Sequence, residues 1–225
     1  MVLTWGLFDR LANRYEDWFT RNRVTARNEL LAVLEADPGQ RPCVDIGSGT
    51  GFFTGSLGCL GVEPSIGMAA LGRVLRRVDA VQGRAESAPL RSESMSVAFI
   101  VVTLCFLPTP KEAVLEAYRV LKPGGWAVPC IVPSESSWGR RYEAEAKEGH
   151  PFYSAARFLS FGEVVDMFTS AGFRLDKAVG TLAYGPDDEP RPEVPTVYTG
   201  REGFVCMRFK KVGRQLEVGE EARKG

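Results

Sequence analysis

Apolar positions along the chain follow two rhythms. Leu7, Phe8, Leu11, Tyr15, Trp18 and Phe19 recur at helical spacing, as do Leu30, Leu31, Val33 and Leu34, so residues 4–36 read as two helices. Asp37-Pro38-Gly39 stops the second. The short run Cys43-Val44-Asp45-Ile46 reads as a strand that enters a glycine cluster. A short helix over 50–57, a strand over 60–63, a helix over 64–77 and a strand over 80–82 follow. Residues 97–103 form the most apolar strand, and their lack of alternation suits a strand covered on both faces of a parallel sheet. A helix over 111–121 ends at Lys122-Pro123-Gly124-Gly125, and 126–132 is the next strand.

This alternation through residue 132 predicts an α/β fold built on a doubly wound, mostly parallel sheet with right-handed crossovers. Over 133–160 the rhythm breaks, with a polar helix over 137–148, and the segment reads as an insertion above the carboxyl edge of the sheet. A helix over 161–171 and a strand over 173–182 come next, then a Pro-rich acidic loop over 185–200 and a last strand over 203–210. The expected organisation is an N-terminal helical cap over 1–40, the α/β domain over 41–212 with 133–160 as its lid insertion, and a frayed mixed-charge tail over 213–225.

Length and composition narrow the class. The 225 residues, 44% apolar and 25% charged, suit one large soluble domain. Lys+Arg and Asp+Glu both number 28, which opposes a nucleic-acid binder driven by a broad positive field, a local basic patch excepted. The longest nearly apolar run, 97–107, falls short of the roughly 20 residues a membrane span needs. The first ten residues carry no basic segment followed by an apolar one, so a cytoplasmic protein is expected. The five cysteines include no C-x-x-C pair and read as small buried hydrophobes; no disulfide framework is expected in a reducing cytosol. With His150 the only histidine, no metal site is expected.

The strongest local signal is Val44-Asp45-Ile46-Gly47-Ser48-Gly49-Thr50-Gly51, a strand running into Gly-x-Gly-x-Gly and a helix. Such glycines allow a sharp turn and close approach of a ligand to the backbone. The dinucleotide pattern Gly-x-Gly-x-x-Gly would place its third glycine at Phe52. Asp45 would repel a diphosphate and attract an ammonium. Both departures favour a cationic, phosphate-free ligand. Eighteen residues after Asp45, Glu63 closes the second strand, where an acidic side chain can accept both hydroxyls of a ribose; about 20 is the usual gap. Ala85 and Glu86, after the third strand, can offer an N–H and a carboxylate to an adenine edge, and Thr103 and Leu104 end the next strand at the same edge.

Together these pieces resemble the class I S-adenosylmethionine-dependent methyltransferases, most nearly their small-molecule branch called type 11, over residues 5–132 and again over 161–210. The resemblance implies a seven-stranded sheet of order 3-2-1-4-5-7-6 with the seventh strand antiparallel. It also implies S-adenosyl-L-methionine as cofactor, held by Asp45, Gly47, Ser48, Gly49, Glu63, Ala85, Glu86, Thr103 and Leu104. Phe8-Asp9-Arg10 and Tyr15-Glu16-Asp17-Trp18-Phe19 are similar to the family's helical lid, which puts Tyr15 on the cofactor. The short 52–59 stretch implies a curtailed first crossover helix.

The expected activity is methyl transfer to a small molecule by in-line displacement, with neither nucleic acid nor membrane as partner. Trp18, Tyr142 and Tyr153 are the candidate acceptor contacts, and His150, inside the insertion, is the candidate general base or acceptor ligand. A regulatory module that binds the cofactor without turnover, and a nicotinamide-dependent oxidoreductase, are the alternatives. The acceptor and the oligomeric state are not readable from the residues.

Overall fold

The structure is a computed structural model that describes residues 4–213; most of the tail expected to fray lies outside the described residues. Five strands pair in parallel: β1 (Cys43–Ile46), β2 (Leu60–Glu63), β3 (Ala80–Gln82), β4 (Met95–Val101) and β5 (Leu121–Ile131). Three more, β6 (Phe173–Thr181), β7 (Thr196–Val197) and β8 (Phe204–Lys211), pair antiparallel to their neighbours. The order is β3-β2-β1-β4-β5-β8-β6-β7. This is the expected order with one addition. The segment 185–200, read as a loop, contributes the two-residue β7, which pairs Val197 with Val179 at the outer edge.

Alternation along β1 and β4 explains why both are apolar apart from Asp45 and Ser96. Val44, Ile46, Ala98 and Ile100 face one layer with Phe168 and Phe209. Cys43, Val97, Phe99 and Val101 face the other with Ala32, Val33 and Phe53. Both faces of these strands are covered by apolar layers, so most of their positions are apolar.

Three helices, not two, precede β1: α1 (Thr4–Arg10), α2 (Ala12–Arg21) and α3 (Arg23–Ala36). Asn22 leaves helical geometry at φ −112°, ψ 45°, and its side-chain amide donates to Trp18 O at 2.9 Å. The buried face of α3 is also not the leucine face. Thr25, Ala26, Asn28, Glu29, Ala32, Val33 and Ala36 are buried, whereas Leu34 is 40% exposed. α3 packs against β6 and β8, and its Thr25 and Asn28 are engaged by Tyr184 and Arg191. The remaining helices are α4 (Phe52–Leu57), α5 (Ile66–Arg76), α6 (Pro110–Val120), α7 (Ser137–Lys147) and α8 (Phe161–Ser170). At six residues α4 is short, as its stretch of sequence implied. Ser65 and Ser136 cap α5 and α7, and Ser160 with Glu163 forms a capping box on α8.

The cysteines differ from the expectation. Cys43 is bonded to Cys59 and Cys130 to Cys206, leaving Cys105 free and buried. Cys130 stands directly opposite Cys206 across the β5–β8 ladder, with Cα atoms 4.0 Å apart, and Cys43 lies 5.0 Å from Cys59 at the parallel β1–β2 edge. Strand order, which spacing along the chain does not reveal, brings each pair together.

Candidate active site

β1 ends at Ile46 and the chain turns at Gly47, whose φ is 80°. Its N–H donates to Val62 O at 2.8 Å, which ties the loop to β2. A Cβ at Gly47 would strike the Thr103 side chain. Gly49, at φ 54°, donates its N–H to Glu63 Oε2 at 2.8 Å. The other Glu63 oxygen accepts from Ser65 N–H at 2.9 Å. One carboxylate therefore holds both the glycine loop and the start of α5. Each oxygen keeps a second lone pair for a ligand. Burial pushes this carboxyl up, and the two N–H bonds pull it down.

Gly47, Gly49, Glu63, Ala85, Glu86 and Thr103 line one cavity at the carboxyl ends of the strands, with Tyr15 of α2 above it. Phe8, from the lid-like segment, Met68 of α5 and Phe106 after β4 line it too; no local signal in the sequence singles out Met68 or Phe106. Asp45, Ser48 and Leu104, expected at the ligand, do not line it. Leu104 is core, 1% exposed. Ser48 turns its hydroxyl onto Gly61 of β2. Asp45 lies under the loop and accepts from Thr54 Oγ1 at 2.6 Å; its Oδ1 has no partner among the described residues. Burial pushes the Asp45 carboxyl up to about 7, against the Thr54 bond and with the Glu63 charge. Asp45 sits deeper than expected because β1 is covered on both faces.

Two tethers close α1 and α2 over this cavity. Asp9 accepts from Gly67 N–H and Ser65 Oγ, each at 2.8 Å, which holds its carboxyl below the usual range. Arg76 of α5 pairs with Glu16 of α2 and donates to Thr50 O at 2.9 Å.

A second chamber of about 470 Å³ adjoins the first and shares Tyr15, Val102 and Phe106 as walls. Val102 adopts φ 50°, a strained region for a β-branched residue, and its N–H is fixed on Cys130 O at 2.8 Å. Trp18, Tyr142, Tyr153 and His150 all line this chamber. Tyr142 stacks on Tyr153 at 4.3 Å and His150 stacks on the other side at 4.0 Å. His150 Nδ1 accepts from Tyr153 N–H at 3.3 Å, so the neutral ring carries its proton on Nε2. Burial lowers its pKa. Glu29 of α3 lines the same chamber and was not a candidate, because its neighbours Leu30 and Leu31 drew the apolar face elsewhere.

The profile of a methyltransferase domain family matches residues 44–128. A crystal structure of a Thermotoga maritima S-adenosylmethionine-dependent methyltransferase, described as a possible histamine N-methyltransferase, is 41% identical with a TM-score of 0.87, covering 92% of this chain and 99% of that one. An uncharacterized protein of Methanocaldococcus jannaschii is 33% identical over 208 residues, 92% of this chain and 100% of that protein. A demethylmenaquinone methyltransferase of Renibacterium salmoninarum is 30% identical over 130 residues, 53% of this chain and 54% of that protein. The chain belongs to the class I S-adenosylmethionine-dependent methyltransferases. It is a methyltransferase whose cofactor is S-adenosyl-L-methionine. The cavity fits that group. Its floor is side-chain-free glycine, and Glu63 at its edge keeps acceptor positions open, which suits a hydroxyl-bearing cation and opposes a diphosphate.

Proposed function

We propose that this protein methylates a small-molecule acceptor by in-line displacement, with the acceptor seated in the second chamber. The observation that supports this most is the shared wall. A ring-lined chamber of small-molecule size opens beside the cofactor cavity and shares Tyr15, Val102 and Phe106 with it. Equal numbers of acidic and basic residues favour a small acceptor over nucleic acid.

In this reading Glu63 takes the ribose hydroxyls, Ala85 N–H and Glu86 meet the adenine edge, and Gly47, Gly49 and Thr103 floor the site. Asp45, Ser48 and Leu104 support that floor from beneath. S-adenosyl-L-methionine supplies a methyl group on a cationic sulfur. Trp18, Tyr142 and Tyr153 exclude water and hold the acceptor, and alignment of this kind can contribute roughly 7–11 kcal/mol to the barrier reduction. His150 serves as an acceptor ligand through Nε2–H, since Tyr153 N–H occupies its remaining lone pair. Residues 1–40 act as the cap, with α1 and α2 above the cofactor, and 133–160 form the lid of the chamber within the 41–212 domain. The working compartment is the cytoplasm, where burial of both disulfides shields them from thiol exchange. No helix among the described residues is long and apolar enough to cross a membrane.

Calorimetric titration with S-adenosylhomocysteine tests the cofactor half of the reading, and release of that product against an acceptor panel tests the transfer. No binding to the wild type overturns it. Binding without turnover across the panel would favour the regulatory alternative.

A further inference from the structure

Glu29 is a buried carboxyl in the second chamber that the methyl-transfer reading leaves unused. It is 5% exposed and lines the chamber, and among the described residues its carboxyl has neither a hydrogen-bond nor an ion-pair partner. Buried carboxyls are seldom left this way, because an unpaired one costs free energy. Its neighbours on α3 are committed. Thr25 shares a hydrogen bond with the Tyr184 hydroxyl at 3.1 Å, and Asn28 donates to Arg191 O at 2.8 Å. Burial pushes the Glu29 carboxyl up to about 8, and no Lys or Arg among the described residues forms an ion pair with it.

The surroundings select the sign of a ligand. From α2, α7 and the turn after α7, the phenols of Tyr15, Tyr142 and Tyr153 all feel the Glu29 charge. Ring faces attract cations, Trp most strongly, and Trp18 lines the same wall. Arg14, Arg21, Arg141, Glu145 and His150 complete the charged and titratable lining. Arg141 is already paired with Glu145 and Asp187. A carboxylate guest would meet Glu29 as a like charge, and a neutral guest would leave it unpaired. An ammonium would meet both a counter-ion and the ring faces.

We propose that the second chamber is a receptor for a protonated amine, so that the methyl acceptor is a small organic amine whose ammonium group pairs with Glu29 and, for its nitrogen to be methylated, would pass one proton to that carboxylate to free its lone pair. This rests on the methyl-transfer reading for its word acceptor, but the amine site stands on the chamber alone.

The test uses three guests of one shape: 2-phenylethylamine, 2-phenylethanol and phenylacetate. Each is titrated calorimetrically into the wild type and Glu29→Gln, with and without S-adenosylhomocysteine. The amine should bind the wild type at least about tenfold more tightly than the alcohol, and the carboxylate most weakly. Near pH 7, titrations in buffers of different ionisation enthalpy should show close to one proton released on amine binding, because Glu29 must ionise to pair. In Glu29→Gln the preference and the proton release should both vanish while S-adenosylhomocysteine still binds, which certifies the fold. Equal binding of amine and alcohol, tighter binding of the carboxylate, no amine binding, or a preference that survives Glu29→Gln would each overturn the proposal. If S-adenosylhomocysteine fails to bind the wild type, the methyl-transfer reading falls, and the titrations without it still decide the amine site.

Discussion

Replacing Glu63 with alanine removes the carboxylate on which the cofactor site hangs, and its effect can be worked in two parts. The first is on the free protein. Gly49 and Ser65 lose their acceptors at 2.8 and 2.9 Å. Gly49 lines the open cavity, where water can replace the lost bond, but Ser65 is fully buried, so its N–H stays unsatisfied at a cost of about 1–3 kcal/mol. Removal of a carboxylate that burial disfavours offsets part of this. The second part is on the ligand. A hydrogen bond to a charged acceptor contributes about 1.5–3 kcal/mol, so S-adenosylhomocysteine should bind roughly tenfold to 150-fold more weakly. Titration calorimetry at 25 °C reads the affinity, and a thermal melt without ligand reads the fold. Glu63→Gln keeps the shape and one acceptor oxygen but faces a backbone donor with an amide nitrogen, so it should fall between wild type and Glu63→Ala. An affinity for Glu63→Ala within about twofold of wild type, in a protein that melts normally, would refute the ribose-binding role.

Three further outcomes are expected. The carboxyls of Glu29 and Asp45 are raised by burial to about 8 and about 7, so the folded chain holds protons that the unfolded chain loses. Their stabilisation is complete below the unfolded values near 4 and is lost as pH rises through the folded ones. Urea unfolding should show lower stability at pH 8.5 than at pH 5, and Glu29→Gln should recover more than about 1 kcal/mol of that loss; an identical drop in both proteins would contradict it. The disulfides close sequence separations of 16 and 76 residues, worth about 3 and about 4 kcal/mol in the chain-entropy picture, so Cys206→Ala should destabilise more than Cys59→Ala. A urea midpoint unmoved by thiol reductant would count against the bonds. Asp9→Ala frees α1 from Ser65 and Gly67, so amide exchange in α1 should quicken and S-adenosylhomocysteine should bind more weakly; unchanged exchange would show that the tether is idle.

The cofactor half of the site was legible in the residues because its signals are local. A buried strand, Gly47 and Gly49 at positive φ, and Glu63 at the end of the next strand lie within 21 residues, and short-range backbone geometry with one carboxylate bond ties them together. The same locality made the parallel half of the sheet readable, since the unbroken apolar run 97–101 in β4 suits a strand covered on both faces.

What the residues did not disclose depends on which distant surfaces meet. Helical spacing marked Leu30, Leu31, Val33 and Leu34 as the inner face of α3, yet packing on β6 and β8 turned Glu29 inward and Leu34 outward. Cys130 and Cys206 are 76 residues apart and become neighbours only because β8 inserts between β5 and β6. Local sequence therefore determined the elements, the glycine turn and its acidic partner, since each depends on short-range backbone geometry and side-chain period. The tertiary structure alone decided the cysteine pairing, the depth of Asp45 and the unpaired carboxyl of Glu29, because burial and partnership belong to contacts between segments far apart in the chain.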